Sequence, residues 1–232
     1  MTTKCAFNQD EFNKFVIENK IVGFFKEPIK LKSGRMSNWY VNWRNASEDA
    51  YLLDKLTDFV IAFTNDLGLA KPDCFYGVPE GASKLGVITQ YKFAKSSSNL
   101  SKGSHVIPMG RGKPKEHGAP KDKYFVGEPR GKVIILEDVT TTGSSLLTTI
   151  DQLKELGVEI VAAFGLTNRM ELRDDRKGVQ QAIKEKGVNY YSLSNALDLL
   201  PTIYKNENPG EAIGKAIEEE FEKWGVEKLK LV

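Results

Sequence analysis

The stretch VIILEDVTTTGSSLLTTI, residues 133 to 150, sets an apolar run against two adjacent acids, Glu137 and Asp138, and follows them with a turn rich in Thr, Gly and Ser. The apolar run is of strand type and SSLLTTIDQLKELG has helical spacing, so the turn falls where a strand passes into a helix. In an α/β sheet ligands bind there, outside the carboxyl ends of the strands. Backbone N–H groups, the hydroxyls of Thr140, Thr141, Thr142, Ser144 and Ser145, and the start of a helix converge on one spot, and Gly143 allows close approach. Such a turn suits a phosphate. The two acids at its threshold would repel a triphosphate, but they can accept hydrogen bonds from sugar hydroxyls or approach a bound Mg2+. A ribose carrying a phosphate satisfies both halves. On the residues alone, acids that cap the helix ahead of a plain polar turn remain the alternative. Neither the triphosphate pattern G-x-x-x-x-G-K-[ST] nor the dinucleotide pattern G-x-G-x-x-G is present.

The elements that must hold this turn are legible as periodicity. Residues 8 to 20 carry Phe12, Phe15 and Val16 at helical spacing, and residues 47 to 68 carry Leu52, Leu53, Leu56, Val60 and Phe63 on one stripe. Ser47 is the expected N-cap of the second helix and Gly68 its left-handed end. Between them GRMSNWYVNWRN reads as a strand or hairpin. Short apolar runs then alternate with helices: 74 to 78, 132 to 136 and 160 to 166 as strands, each followed by an amphipathic segment, and 210 to 225 as a last helix with Ile213, Ile217, Phe221 and Trp224 in register. Alternation of this kind predicts a doubly wound α/β domain, a mostly parallel sheet covered on both faces. Residues 95 to 104 and 109 to 131 break the rhythm as long loops, which in a compact domain are functional or mobile.

Composition sets the class. The chain has 232 residues, enough for one sizeable core, and 33 Lys and Arg against 31 Asp and Glu give a net charge of +2. That balance argues against nucleic acid or an acidic membrane as general partner, so any anion site is local. The two cysteines, Cys5 and Cys74, are too few for a disulfide framework and fit a reducing cytoplasm. The N-terminus lacks the apolar core of a signal peptide and no run approaches a membrane span.

VIILEDVTTTGSS resembles the phosphoribosyl pyrophosphate (PRPP) motif of the type I phosphoribosyltransferases. Two further segments narrow the resemblance to orotate phosphoribosyltransferases: LKSGRMSNWYVNW (31 to 43) is similar to their L-K-S-G-R-x-S-x-[YF] segment, and RGKPKEHG (111 to 118) to their mobile catalytic loop R-K-x-x-K-x-H-G. The resemblance implies a type I phosphoribosyltransferase fold with a small N-terminal hood, taken as residues 1 to 45, on a core of residues 46 to 232, in one domain. It implies transfer of the phosphoribosyl group from PRPP to orotate, in pyrimidine synthesis, with Mg2+ held mainly by PRPP. It also implies a homodimer whose catalytic loop reaches the neighbouring site.

Residue by residue, the resemblance puts Glu137 and Asp138 on the ribose hydroxyls and Thr140, Thr141, Thr142, Gly143, Ser144 and Ser145 on the 5′-phosphate. Arg111, Lys113, Lys115 and His117 face the pyrophosphate. Lys32, Tyr40, Thr141 and Arg169 meet the orotate, and Lys32, Arg111, Lys115, His117 and Asp138 form the catalytic set. The physics agrees for the loop, because ribosyl transfer passes through an oxocarbenium-like carbon while a large negative charge departs. A cationic loop that closes would neutralise that charge and exclude water. An arginine such as Arg169 offers paired N–H donors to a carboxylate, which a lysine does not.

Two departures stand out. Gly112 replaces the second basic residue of the loop pattern, and Gly81 stands where relatives with G-P-A-Y-K-G carry a lysine, leaving Lys113 and Lys84 as the nearest cations. Two other readings stay open: a phosphoribosyltransferase for a different base, and a non-catalytic PRPP-binding regulator. The near-neutral charge and the absence of a helix-turn-helix segment weigh against the regulator.

Overall fold

The computed structural model describes residues 6 to 117 and 123 to 232; Cys5, and Gly118 at the end of the catalytic-loop motif, lie outside them. Helix α1 (Gln9–Glu18) starts from Asn8, whose side chain accepts the Glu11 amide at 3.1 Å. A hairpin follows, β1 (Val22–Lys30) and β2 (Met36–Val41), paired antiparallel with an irregularity between Phe24 and Ile29. Only its second half was expected. Pro28 within β1 weakens a strand reading, yet here it falls in the unpaired irregularity where no ladder donor is required.

The short α2 (Arg44–Glu48) takes up Ser47, and the long α3 (Ala50–Asp66) begins instead at Asp49, whose carboxylate accepts the Leu52 amide at 2.9 Å. The N-cap therefore shifts by two residues from the expected one, because the aspartate sits in extended backbone and Ser47 is already helical. At the other end Gly68 takes φ +59°, as expected of a helix terminator.

The remaining chain builds β3 (Cys74–Gly77), α4 (Ser83–Lys95), the two-residue strands β4 (Met109–Gly110) and β5 (Phe125–Val126), then β6 (Lys132–Thr140), α5 (Ser144–Glu155), β7 (Glu159–Asn168), α6 (Val179–Glu185), β8 (Tyr190–Asn195), α7 (Ala196–Glu207) and α8 (Glu211–Trp224). Four strands form one parallel sheet in the order β3-β6-β7-β8, while β4 and β5 pair antiparallel as a separate ribbon. Strand alternation sends Ile134, Leu136, Phe164 and Leu193 to one face, against α1, α3, α7, α8 and the hairpin. Val133, Ile135, Ala163 and Tyr190 go to the other, against α5 and α6. Each such buried aliphatic or aromatic side chain stabilises the fold by about 1.5–3 kcal/mol relative to exposure. The doubly covered parallel sheet is the architecture expected.

Helix α4 lies directly on β3. A Cβ at Gly86 would sit 2.2 Å from the Gly77 amide nitrogen, and one at Gly77 would lie inside the Ala82 carbonyl. This close approach fixes the loop between β3 and α4 at the carboxyl end of the sheet. Helix propensity favours Gly86→Ala by about 1 kcal/mol, but overlap with backbone cannot be relieved by a rotamer. The variant should be less stable by at least about 1 kcal/mol in urea unfolding. Gly23→Ala, with nothing within 4 Å, should stay within about 0.5 kcal/mol of the parent. An unchanged or higher midpoint for Gly86→Ala would contradict the packing.

Candidate active site

Strand β6 runs four residues beyond its apolar core, through both acids, and ends at Thr140. Glu137 is 6% exposed, and burial, helped by the neighbouring Asp138 carboxylate, holds its carboxyl well above the ordinary range against the opposing pull of Lys32. Asp138 is half-buried: its Oδ1 accepts its neighbour Val139's amide at 2.9 Å, and its carboxylate rests on Gly81, where a Cβ would come within 2.3 Å of Oδ2. A larger residue at position 81 would have to displace that carboxylate.

The turn beyond β6 is anion-ready. Gly143, with φ +69°, is the N-cap of α5 and supplies no side chain to the first-turn amides. Those amides point at the space in front of the turn with the helix dipole behind them. Thr142 and Ser144 share a hydrogen bond at 2.9 Å, and Arg173 donates from Nη1 to the Thr142 carbonyl at 2.5 Å, pinning the turn from the side. Thr140 does not belong to the cradle as expected. It is 1% exposed and its hydroxyl turns inward to that of Tyr190 at 2.6 Å, so Thr141 to Ser145 remain for a phosphate.

The hairpin turn at 31 to 35 closes on this site. Leu31 and Arg35 bond across the turn, Gly34 takes φ +86°, and Lys32, exposed at the tip, donates from Nζ to Ser145 Oγ at 2.9 Å. A lysine 113 positions away is thus placed on the same turn as the two acids.

Opposite Asp138 lies the loop of residues 78 to 82, from β3 into α4, and over it comes the start of the basic loop. The Arg111 amide donates to the Tyr124 carbonyl and the Lys115 amide to the Lys123 carbonyl, each at 2.8 Å, so the loop springs from the β4-β5 ribbon. A Cβ at Gly112 would fall 2.3 Å from Glu80 Oε1. The glycine that stands where the family has a basic residue thus packs against the Glu80 side chain of the 78 to 82 loop. Lys113, Lys115 and His117 are exposed, Arg111 is half-buried, and Lys84 is exposed on the first turn of α4.

Arg169 is placed otherwise than expected. It is 1% exposed, its guanidinium lies 3.6 Å over the Trp39 ring, Nε meets Glu171 at 2.6 Å, and Nη2 meets Glu220 at 2.9 Å and Ser37 Oγ at 3.0 Å. Nη1 donates to the Trp39 carbonyl at 3.3 Å. Arg35 extends the network, binding Glu171 and Asp174 at 3.0 Å each and covering the Trp224 ring at 4.0 Å. The network clamps β2, the end of β7 and α8 together.

No family model matches the chain. It is 33% identical to an orotate phosphoribosyltransferase of Rhodopseudomonas palustris over 77% of this chain and 90% of that protein. An orotate phosphoribosyltransferase of Methanopyrus kandleri is 32% identical over 73% of this chain and 80% of its own length. The chain belongs to the orotate phosphoribosyltransferase family. Among solved structures, an orotate phosphoribosyltransferase of Francisella tularensis superposes with a TM-score of 0.63 at 20% identity, covering 93% of this chain and 99% of that one, which shows the same fold.

For an orotate phosphoribosyltransferase the structure thus assembles Lys32, Glu137, Asp138 and the turn 141 to 145, with the loops at 78 to 82 and 111 to 117 facing them. It does not bring Tyr40 and Arg169 into one pocket. Tyr40 is half-buried on the face of β2 opposite Ser37 and Trp39, and Arg169 spends its donors on the protein. Glu80, Arg173 and Tyr190 were missed: Glu80 departs from the G-P-A-Y-K-G pattern it stands in, and Arg173 and Tyr190 stand in no motif and acquire their places only through the tertiary fold.

Within the Arg169 network, burial outweighs the attraction of the guanidinium and pushes the Glu220 carboxyl from 4.5 up to about 7, with Glu171 adding to the rise. A raised acid favours the fold in its neutral form. Its contribution is present below about pH 4.5 and is lost as pH rises through about 7. The stability of the parent relative to Glu220→Gln should therefore fall between about pH 4.5 and about pH 7 in urea unfolding. A difference that is flat or rises over that window would contradict this environment for Glu220.

Proposed function

We propose that this chain transfers the 5-phosphoribosyl group of PRPP to orotate, giving orotidine 5′-phosphate and pyrophosphate in pyrimidine nucleotide synthesis. One observation carries the reading: Lys32, in the segment that resembles orotate enzymes, lies against Ser145 in the segment that resembles a PRPP site. The two resemblances are read from separate parts of the chain, and the fold joins them in one site.

In the reaction the bond from the anomeric carbon to a pyrophosphate oxygen breaks, a bond to a ring nitrogen of the base forms, and the proton of that nitrogen is released to solvent. The carbon between them becomes oxocarbenium-like. Glu137 and Asp138 hold the ribose hydroxyls, and the turn of residues 141 to 145 holds the 5′-phosphate on the first-turn amides of α5. This fixes the sugar at both ends, so the reacting carbon has little freedom. Lys32 supplies a cation beside the acceptor base. Backbone of the 78 to 82 loop, followed by Arg111, Lys115 and His117 when their loop closes, meets the departing pyrophosphate. Lys113, next to Gly112, is an additional cation on the same loop.

Mg2+ fits as an ion brought by PRPP. The resemblance implies an ion held mainly by PRPP, and the half-buried Asp138 carboxylate stands near the end of β6, beside the phosphate-binding turn. When bound it would screen the charge of the pyrophosphate. The resemblance to orotate phosphoribosyltransferases implies a homodimer whose catalytic loop reaches the neighbouring site, and we carry that over to this chain; two cysteines without a disulfide framework fit a reducing cytoplasm. No helix among the described residues is long and apolar enough to cross a membrane.

Product formation from PRPP with orotate, uracil, adenine and hypoxanthine decides the acceptor. Turnover is expected with orotate alone; turnover with a purine and none with orotate would overturn the reading. Lys115→Ala should lower kcat by about a hundredfold, the scale of one lost transition-state donor, while changing PRPP affinity by less than about threefold. Equal losses in both would contradict a role confined to the transition state.

A further inference from the structure

We propose that Tyr190 is a positioning residue of the sugar-phosphate site: its hydroxyl, entering through a notch at Gly165, fixes Thr140 and so the point where strand β6 gives way to the phosphate-binding turn. The proposal rests on the reading of residues 137 to 145 as the PRPP site.

Three observations meet. Gly165 on β7 is the register partner of Glu137 on β6, and a Cβ at Gly165 would lie 2.3 Å from Tyr190 Oη. The glycine therefore leaves the space beside Glu137 that the phenol fills. Tyr190, 4% exposed on β8, is aligned with Ala163, two residues earlier on β7, so its ring leans along the sheet toward the carboxyl ends of the strands. Its hydroxyl ends 2.6 Å from Thr140 Oγ1. Thr140 is held at a second point as well, its carbonyl accepting the Arg169 amide at 2.9 Å. Burial pushes the phenol upward from its ordinary value and the nearby Glu137 adds to that, while Thr140 opposes it, so Tyr190 stays a neutral hydroxyl.

The chemistry favours a positioning role because two buried hydroxyls are costly unless they satisfy each other. An apolar pair would fill the same space without that requirement. Here the pair is directional, and its direction is toward the residue on which the turn hinges. Glu137, Thr140 and Tyr190 are buried polar groups gathered where β6 gives way to the turn.

The test combines four variants with PRPP titration calorimetry and steady-state kinetics. Tyr190→Phe keeps the ring and removes the hydroxyl; it should weaken PRPP binding and raise its KM about fivefold, the scale of one net hydrogen bond, and leave the KM for orotate unchanged. Thr140→Val should do the same, the double variant should be no worse than either single, and Thr140→Ser should bind as the parent does. Gly165→Ala should weaken PRPP binding in the parent and cost less in the Tyr190→Phe background, where only ring carbons at 3.2 and 3.3 Å remain in its way. Should Tyr190→Phe fail to fold, the Thr140 pair decides alone. Loss of stability with PRPP binding unmoved, additive effects, or equal weakening of both substrates would overturn the proposal. If the parent itself fails to bind PRPP, or Asp138→Asn binds it as the parent does, the underlying reading of the site falls instead.

Discussion

Two carboxylates stand near the end of a strand that is paired on both edges and covered on both faces. That constraint shapes the rest of the molecule. Strand β6 must be apolar along most of its length, because β3 and β7 flank it and helices pack above and below, yet its last residues must meet a polar ligand. Glu137 takes the cost of the transition: burial and the adjacent Asp138 disfavour its charge, and Lys32 returns part of it. Small residues clear the surroundings. Gly165 opens room on the β7 side and Gly81 lets the Asp138 carboxylate lie on the neighbouring loop. Elements far apart in sequence are then brought to the same point, the hairpin turn by Lys32 and the segment after β7 by Arg173.

A second constraint works at a distance from the chemistry. The buried Arg169, stacked on Trp39 and bound by Glu171, Glu220 and Ser37, joins three elements at the centre of a polar network that also holds the Ser37–Glu220 and Arg35–Glu171 bonds. Removing one partner of such a group leaves an uncompensated buried charge, which costs about 3–5 kcal/mol. Its effect is to hold the hairpin at a fixed angle to the sheet, and the hairpin carries Lys32. Packing energy and site geometry are coupled through this cluster even though Arg169 spends its donors on protein groups.

What could be read in the sequence was what local pattern encodes. The apolar run before Glu137, the Thr/Gly/Ser turn and the amphipathic stripes of α1, α3, α5 and α8 are each set by residues within a few positions of one another, and the structure has them as expected. Strand β8 and helix α7 were not read, because YYSLSN mixes aromatic, hydroxyl and amide residues without a clean alternation and Pro201 interrupts the helical pattern that follows. Ser47 and Asp49 are both good caps, and only the backbone conformation chooses between them. Thr140 looked like its neighbours Thr141 and Thr142. Its inward turn depends on a tyrosine 50 residues on and a glycine on the strand between, and no local rule reports that. Arg169 ended its strand as a ligand-binding arginine would, but its acidic partner Glu220 lies 51 residues away.

The central claim is that Glu137 and Asp138 and the turn after them are two halves of a site for one molecule. The most direct measurement is a crystal structure of the protein soaked with orotate and PRPP. The account predicts ribose hydroxyls on the Glu137 and Asp138 carboxylates, the 5′-phosphate on the amides of residues 141 to 145, and the orotate beside Lys32. A phosphate bound elsewhere, or a ribose that touches neither acid, would contradict it.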